Sequence, residues 1–296
     1  MSIRQADKAG TWYSRDPDVL RQEIAECMDR ADRLLATAAP ACGSPVAAVV
    51  PHAGLFYSGG IAATSFRKIG ETFQTVDTFV IFGACHRERL RKPALWTKGS
   101  WQTPIGGLPI DEELAQAFLD AGIGEENERA HTEDNAIELL TPFVKALYPN
   151  AKILPVAMDF YPDSWRYGSK AAEVMSANPV FSGKTMIALA STDLTHYGAS
   201  FGVMPAGTGQ KALDWAREND QRFLTNLTDM SLDNIVSTAI RDHSACGAGA
   251  AAAAAGWAKK CGCDKGILLA YETSYDIMPQ GIPEHFVGYG SVLYCR

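Results

Sequence analysis

No apolar run approaches the ~18 residues that a membrane-spanning helix needs, so no membrane span is expected. The opening stretch, "MSIRQADKAGTWYSRDPD", lacks the apolar core of a secretory signal. A cytoplasmic protein is the resulting expectation. Basic clusters are scarce as well. Lys and Arg number 27 against 34 Asp and Glu, for a net charge of −7 and a pI near 5.4. A nucleic-acid partner needs a basic stripe, and none is present. The one dense basic stretch, "HRERLRK" at His86 to Lys92, reads equally well as a solvated loop or as an anion site. Internal repeats and long linkers are missing too. Cysteine is limited to seven residues, an odd number without zinc-ribbon spacing. Cys261 and Cys263 form a lone C-x-C after a helix, too little for a structural zinc site. The cysteines therefore read as reduced thiols, with one or two reactive or metal-binding.

The 296 residues, 47% of them hydrophobic, suffice for a large core. Short apolar runs punctuate the chain: "VAAVV" (46–50), "TFVIFG" (78–83), "KILPVAM" (152–158), "TMIALAS" (185–191), "GILLAYE" (266–272) and "VGYGSVLY" (287–294). Runs this apolar suit strands covered on both faces. Amphipathic helical patterns separate them, at 16–35, 111–122, 132–148, 163–177, 210–227 and 244–260. Thr132 reads as the N-cap of the third pattern. Residues 36–45 read as a turn-rich connector. This alternation predicts a single α/β domain over 1–296, with a mainly parallel or mixed sheet and helices on both faces.

Open α/β sheets bind ligands beyond the carboxyl ends of their strands. Three of the six histidines fall at such ends: His52 after "VAAVVP", His86 after "TFVIFGAC", and His196 in "STDLTHYG", with Asp193 three residues before it. Parallel strands would turn all three imidazoles into one crevice. Each also has a bland reading, as a core histidine (His52), a surface-loop residue (His86) or a loop cap (His196). Cys246, in "RDHSACGAGAAAAAAGWAKK", precedes an alanine-rich helix. Free N–H groups and the helix dipole there favour a thiolate. The alternative is a small residue packed at the helix head. Cys85 is a weaker candidate, His243 is close enough to tune Cys246, and His131 and His285 are expected on the surface. The small residues Ala53 and Gly54 leave space beside His52, and Phe56 and Tyr57 are expected to wall a pocket.

At these positions the sequence resembles the Memo family, whose bacterial and archaeal members are called AmmeMemoRadiSam system protein B. The shared segments occur in order: "AGTWY", "PHAG-x-x-Y-S-G", "G-x-x-H" at Gly83 to His86, "WQTPIGGLPID", "STDLTHYG", "ACG" at Ala245 to Gly247, and "VGYGSVLY". The resemblance implies a fold similar to that of class III extradiol dioxygenases, which are non-haem iron enzymes. It puts His52 and His86 at two metal-ligand positions, Cys246 at the third, and His196 at the acid/base position with Asp193 beside it. It also implies partners among other AmmeMemoRadiSam system proteins. One departure stands out: Asn135 occupies the usual histidine of the middle helix, while Glu138 remains. His131, four residues earlier and about one helical turn away, is placed to reach the same face.

Two imidazoles and a thiolate suit iron(II), with copper or zinc as alternatives. The leading expectation is a metal-dependent, dioxygenase-like oxidoreductase acting on a small phenolic or otherwise chelating molecule, with His196 moving a proton. A second reading is a metal-independent hydrolase or transferase. It would use Cys246 as nucleophile, His196 as base, Asp193 as orienter and the glycines 54, 59 and 60 as anion cradle. A third is a non-catalytic metal- or peptide-binding module.

Overall fold

The computed structural model describes residues 2–36 and 42–296, so residues 37–41 of the expected connector lie outside the described residues. The strands in chain order are β1 (Ile3–Arg4), β2 (Pro45–Val50), β3 (Thr78–Ala84), β4 (Ala94–Leu95), β5 (Ser100–Thr103), β6 (Gly106–Pro109), β7 (Glu125–Glu126), β8 (Lys152–Met158), β9 (Met186–Ser191), β10 (His196–Tyr197), β11 (Gly266–Thr273) and β12 (Phe286–Cys295). All six strands expected from apolar runs are present. The helices are α1 (Pro17–Leu35), α2 (Gly60–Thr72), α3 (Glu112–Asp120), α4 (Thr141–Leu147), α5 (Ser164–Ala177), α6 (Gln210–Thr228), α7 (Leu232–Asp242), α8 (Ala248–Lys260) and α9 (Ser274–Ile277).

Nine strands form a mixed sheet in the order β10-β12-β2-β9-β3-β8-β4-β7, with β11 pairing β12. Its centre, β2-β9-β3-β8, is parallel, and β12 and β11 extend it antiparallel. Side chains alternate between two cores, as the period of a strand demands. Val80 and Phe82 of β3 enter one cluster with α3, α5, α6, α7 and α8. Phe79 and Ile81 enter the other, with α1, α2 and α4. The helices start where side chains can cap them. Asp16 accepts from the N–H groups of Asp18 and Val19, with Pro17 at the first position of α1. Asp111 caps α3 through Leu114 N–H.

Helix α8 is buried on every side from Ala248 to Ala258. Its small residues allow backbone-to-backbone contact with α5. A Cβ on Gly168 would overlap the Ala253 carbonyl, and one on Gly256 would overlap the Trp165 carbonyl.

Several expectations are corrected. The helix expected over 132–148 is only a final two turns, α4, preceded by a 3-10 turn at Glu138–Leu140. Glu133 sits at φ 57, a conformation a helix cannot continue through. The Asp134 side chain then claims the N–H groups of His86 and Ala136, a local alternative to helical bonding. Pro142 is tolerated because it lies in the first turn of α4. The cysteines are not all reduced: Cys42 and Cys295 form a disulfide, with Cα atoms 6.0 Å apart, while Cys27, Cys85, Cys246, Cys261 and Cys263 are free. Cys42 and Cys295 come together because both flank the β2–β12 pairing. Helix α7 and the small sheet β1-β5-β6 were not anticipated. No described helix is long and apolar enough to cross a membrane.

Gly168→Val is expected to destabilise the fold by about 1–3 kcal/mol, through overpacking of the α5–α8 contact. Urea unfolding at neutral pH measures it. An unchanged midpoint would show that α5 moves away at no cost.

Candidate metal centre

Ser191 pairs with Val50 on one side and Gly83 on the other, so β2, β9 and β3 end at one level. The chain leaves these ends carrying His52, Asp193 and His86. Between the ends comes the loop before α8, which delivers Cys246. It stands immediately before Gly247, the N-cap, rather than inside the first turn. Its N–H donates to the Asp193 carbonyl at 3.2 Å, and Thr192 Oγ1 accepts from Gly247 N–H at 2.8 Å. The structure thus brings His52, His86 and Cys246 together as a candidate metal-binding triad, with one ligand atom from each, all within 4.8 Å of one another. Cys246 Sγ lies 3.2 Å from His52 Nε2, and the two imidazole rings meet edge-on with centroids 5.4 Å apart.

Outer partners orient each ring. Ser191 donates its hydroxyl hydrogen to the Ala136 carbonyl. It can therefore accept from His52 Nδ1, 2.8 Å away, which holds the Nδ1 hydrogen and turns Nε2 towards Cys246. Asp134 holds the Nδ1 hydrogen of His86, with Oδ1 3.1 Å from Nδ1 and Oδ2 accepting the His86 N–H at 2.6 Å. Asp193 Oδ1 accepts the His52 N–H at 2.8 Å. Asn135 donates to the His52 carbonyl at 3.3 Å, so it acts on the backbone of a candidate ligand.

The charges are coupled. Burial alone would raise the Cys246 thiol, but His52 and His86 outweigh it and hold it well below the ordinary thiol value. Burial likewise works against a charged His86, yet Asp134 and the Cys246 sulfur raise it to about 10. Asp134 is lowered to about 2 by His86 and two N–H donors, against its own burial.

His196 lines a cavity of about 660 Å³ together with Cys246. Its Nδ1 lies 3.0 Å from the Leu194 carbonyl, which accepts its hydrogen. Asp193 turns to His52 instead, and the expected Asp193–His196 pairing is not the hydrogen bond formed. His243 is the left-handed C-cap of α7, at φ 51, and lines the same cavity. His285 is exposed, as expected, and stacks on Phe201. Phe56 and Tyr57 do not line this cavity; both are exposed, and Tyr57 points to Met278.

His131 corrects a further expectation, because it is buried rather than on the surface. Its Nε2 lies 3.0 Å from the Ala94 carbonyl, and its ring packs against Trp96 and Trp101. Beside it, Arg4 donates to the carbonyls of His131 and Asp134 and pairs with Glu138 at 2.7 Å. Tyr13 also donates to Glu138. This buried clamp holds the segment that carries Asp134. Sequence reasoning missed Asp134 and Ser191 as outer partners. Ser191 had a usable signal: a hydroxyl at the end of an apolar strand, directly before Thr-Asp.

A family model described as Memo-like protein matches residues 4–293. The chain belongs to the Memo family. It is 31% identical over 297 residues to a MEMO1 family protein of Methanothermobacter thermautotrophicus, covering 97% of this chain and 98% of that one. It is 30% identical over 258 residues to a MEMO1 family protein of Pyrococcus horikoshii, covering 84% and 87% respectively. Among solved structures, an uncharacterized protein of Escherichia coli K12 matches with a TM-score of 0.51 at 15% identity, over 83% of this chain and 98% of that one. That likeness concerns the fold alone.

Two measurements test this Memo-family site. In metal-free protein, Cys246 is expected to react with iodoacetamide at a pH below the ordinary thiol range, and His52→Ala to shift that profile upward. An unshifted profile would remove His52 as the source of the thiolate. His131 is lowered to about 3, by burial first and then by Arg4. The unfolded chain takes up this proton near pH 6.5. The contribution is therefore fully present above about pH 6.5 and is lost as pH falls towards 3. Relative to wild type, His131→Gln should lose less stability between pH 7 and pH 5, by roughly 1–2 kcal/mol. Urea midpoints at both pH values decide it.

Proposed function

We propose that this Memo-family chain binds one transition-metal ion through His52, His86 and Cys246, and works as a metal-dependent, dioxygenase-like oxidoreductase on a small chelating molecule. The observation that supports this most is the orientation of the two imidazoles. Ser191 and Asp134 occupy both Nδ1 atoms, which turns the two Nε2 atoms and the Cys246 sulfur to one point, where a bound cation would displace the protons they share. A carboxylate on the far ring nitrogen, as Asp134 gives His86, is a common partner of metal-ligating histidines. Iron(II) is the leading assignment, with copper and zinc as the alternatives a thiolate also favours. A metal held by His52, His86 and Cys246 would supply Lewis-acid and redox chemistry to a substrate in the adjoining cavity.

The chain's own residues do the rest. His196 keeps its Nδ1 hydrogen on the Leu194 carbonyl, so Nε2 is the nitrogen that accepts a proton from a substrate in the cavity. Asp193 acts on the ligands, gripping His52 through its carboxylate and Cys246 through its carbonyl. A metal-independent nucleophilic role for Cys246 has one observation in its favour, the thiolate held beside His52. It needs only one imidazole beside the sulfur, whereas two converge on it.

Anaerobic purification followed by elemental analysis is the test. Wild type is expected to carry close to one equivalent of metal after reconstitution, and His52→Ala, His86→Ala and Cys246→Ser to lose it. Ser191→Ala and Asp134→Ala should weaken binding by about 10–100-fold. Metal retained in all three ligand variants would sink the proposal. Oxygen consumption with a panel of catechols then tests the reaction class.

A further inference from the structure

The cavity beside Cys246 and His196 has a chemical polarity. Its volume, about 660 Å³, is that of a pocket for a small organic molecule. Leu194, Val203, Phe160, Phe201 and Ile240 make much of its wall apolar. Cys246 and His196 supply the polar end. At another part of the lining stands Arg89, with 89% of its side chain exposed.

Arg89 is held at one point only. Its Nη1 lies 3.3 Å from Asp159 Oδ1. Asp159 in turn is occupied by the N–H groups of Leu90 and Phe160. The other N–H groups of the guanidinium fork have no partner among the described residues, and a planar fork of this kind matches a carboxylate. Asp159 follows β8, whose Ala157 pairs with Gly83 of β3, so Arg89 is tethered to the same level of the sheet as the candidate ligands. Arg89 also belongs to the basic run 86–92. Arg91 and Lys92 are exposed there, on a chain whose net charge is −7. Of that run's cationic side chains only Arg89 lines the cavity, and the carboxylate it touches there, Asp159, already accepts two backbone N–H groups.

We infer that the cavity takes an amphipathic organic anion: a ring-sized apolar body bearing a carboxylate that Arg89 holds at the rim, with the uncharged end directed to Cys246 and His196. This orientation follows from placement: Arg89 is the lining guanidinium and is exposed at the rim, so a carboxylate held there leaves the apolar body among Leu194, Phe160 and Phe201 and the other end towards Cys246 and His196. The inference rests on the reading that this cavity serves the His52–His86–Cys246 centre, and it names that centre's substrate class.

The test compares 3-phenylpropionate with its neutral amide, by saturation-transfer NMR and calorimetry, on metal-free and metal-reconstituted protein. Wild type should prefer the carboxylate by about tenfold, the scale of one charge-assisted hydrogen-bonded pair. The preference should shrink as salt is raised. Arg89→Gln should abolish it while leaving amide binding unchanged. Ile240→Glu, an exposed wall position, should weaken only the carboxylate. Arg33→Gln, on α1 away from the cavity, should change neither. Equal binding of the two probes, a preference that survives Arg89→Gln, or no saturable binding of either probe would overturn the inference. Elemental analysis of the same samples keeps the two readings apart. Carboxylate preference in protein that never retains metal would overturn the metal assignment alone. Metal-loaded protein indifferent to probe charge would overturn the substrate class alone.

Discussion

The candidate site depends on one rung of the sheet. Val50, Ser191, Gly83 and Ala157 lie side by side across β2, β9, β3 and β8. Two residues beyond each lie His52, Asp193, Cys85 and Asp159, and His86 follows Cys85. A strand slipped by one residue would turn its side chains to the other face, and the imidazoles would no longer converge. The two cores prevent that slip, since each strand alternates between them. Gly83 adds a local requirement: a Cβ there would strike Ile137, on the segment that lies across the strand ends. That segment carries Asp134.

Orientation at the site is enforced largely from outside it. His52 is fixed through its ring, its N–H and its carbonyl, by Ser191, Asp193 and Asn135. Asp134 holds His86 by both ring and backbone, and Arg4 holds the backbone of Asp134. Arg4 is itself buried, stacked on Trp101 at 4.3 Å and paired with Glu138. A buried ion pair of this kind is weak evidence for stability, because desolvation offsets its attraction. Its carbonyl contacts give it a positioning role instead.

The parts legible in the sequence are those written in local pattern. Apolar runs marked the six main strands, and the histidines at their ends followed directly. Cys246 was legible from the alanine-rich helix behind it. The illegible parts depend on distant partners. Nothing near "ERAHTEDNA" says that His131 will be covered by two tryptophans and Arg4, or that Glu133 will take a positive φ and interrupt the helix. The Cys42–Cys295 disulfide joins residues 253 apart, and an odd cysteine count pointed the other way. Asp193 was noticed for its nearness to His196 in sequence, but the fold turns its carboxylate to His52, 141 residues away.

These separations have a consequence in time. His52 meets Cys246 across 194 residues, and Arg4 meets Glu138 across 134. Contacts of such range form late, after the loop entropy between them has been overcome. A ribosome must release most of the chain before the third donor exists at all. An ion bound by these three residues together would therefore be acquired by a finished fold and not by a nascent one.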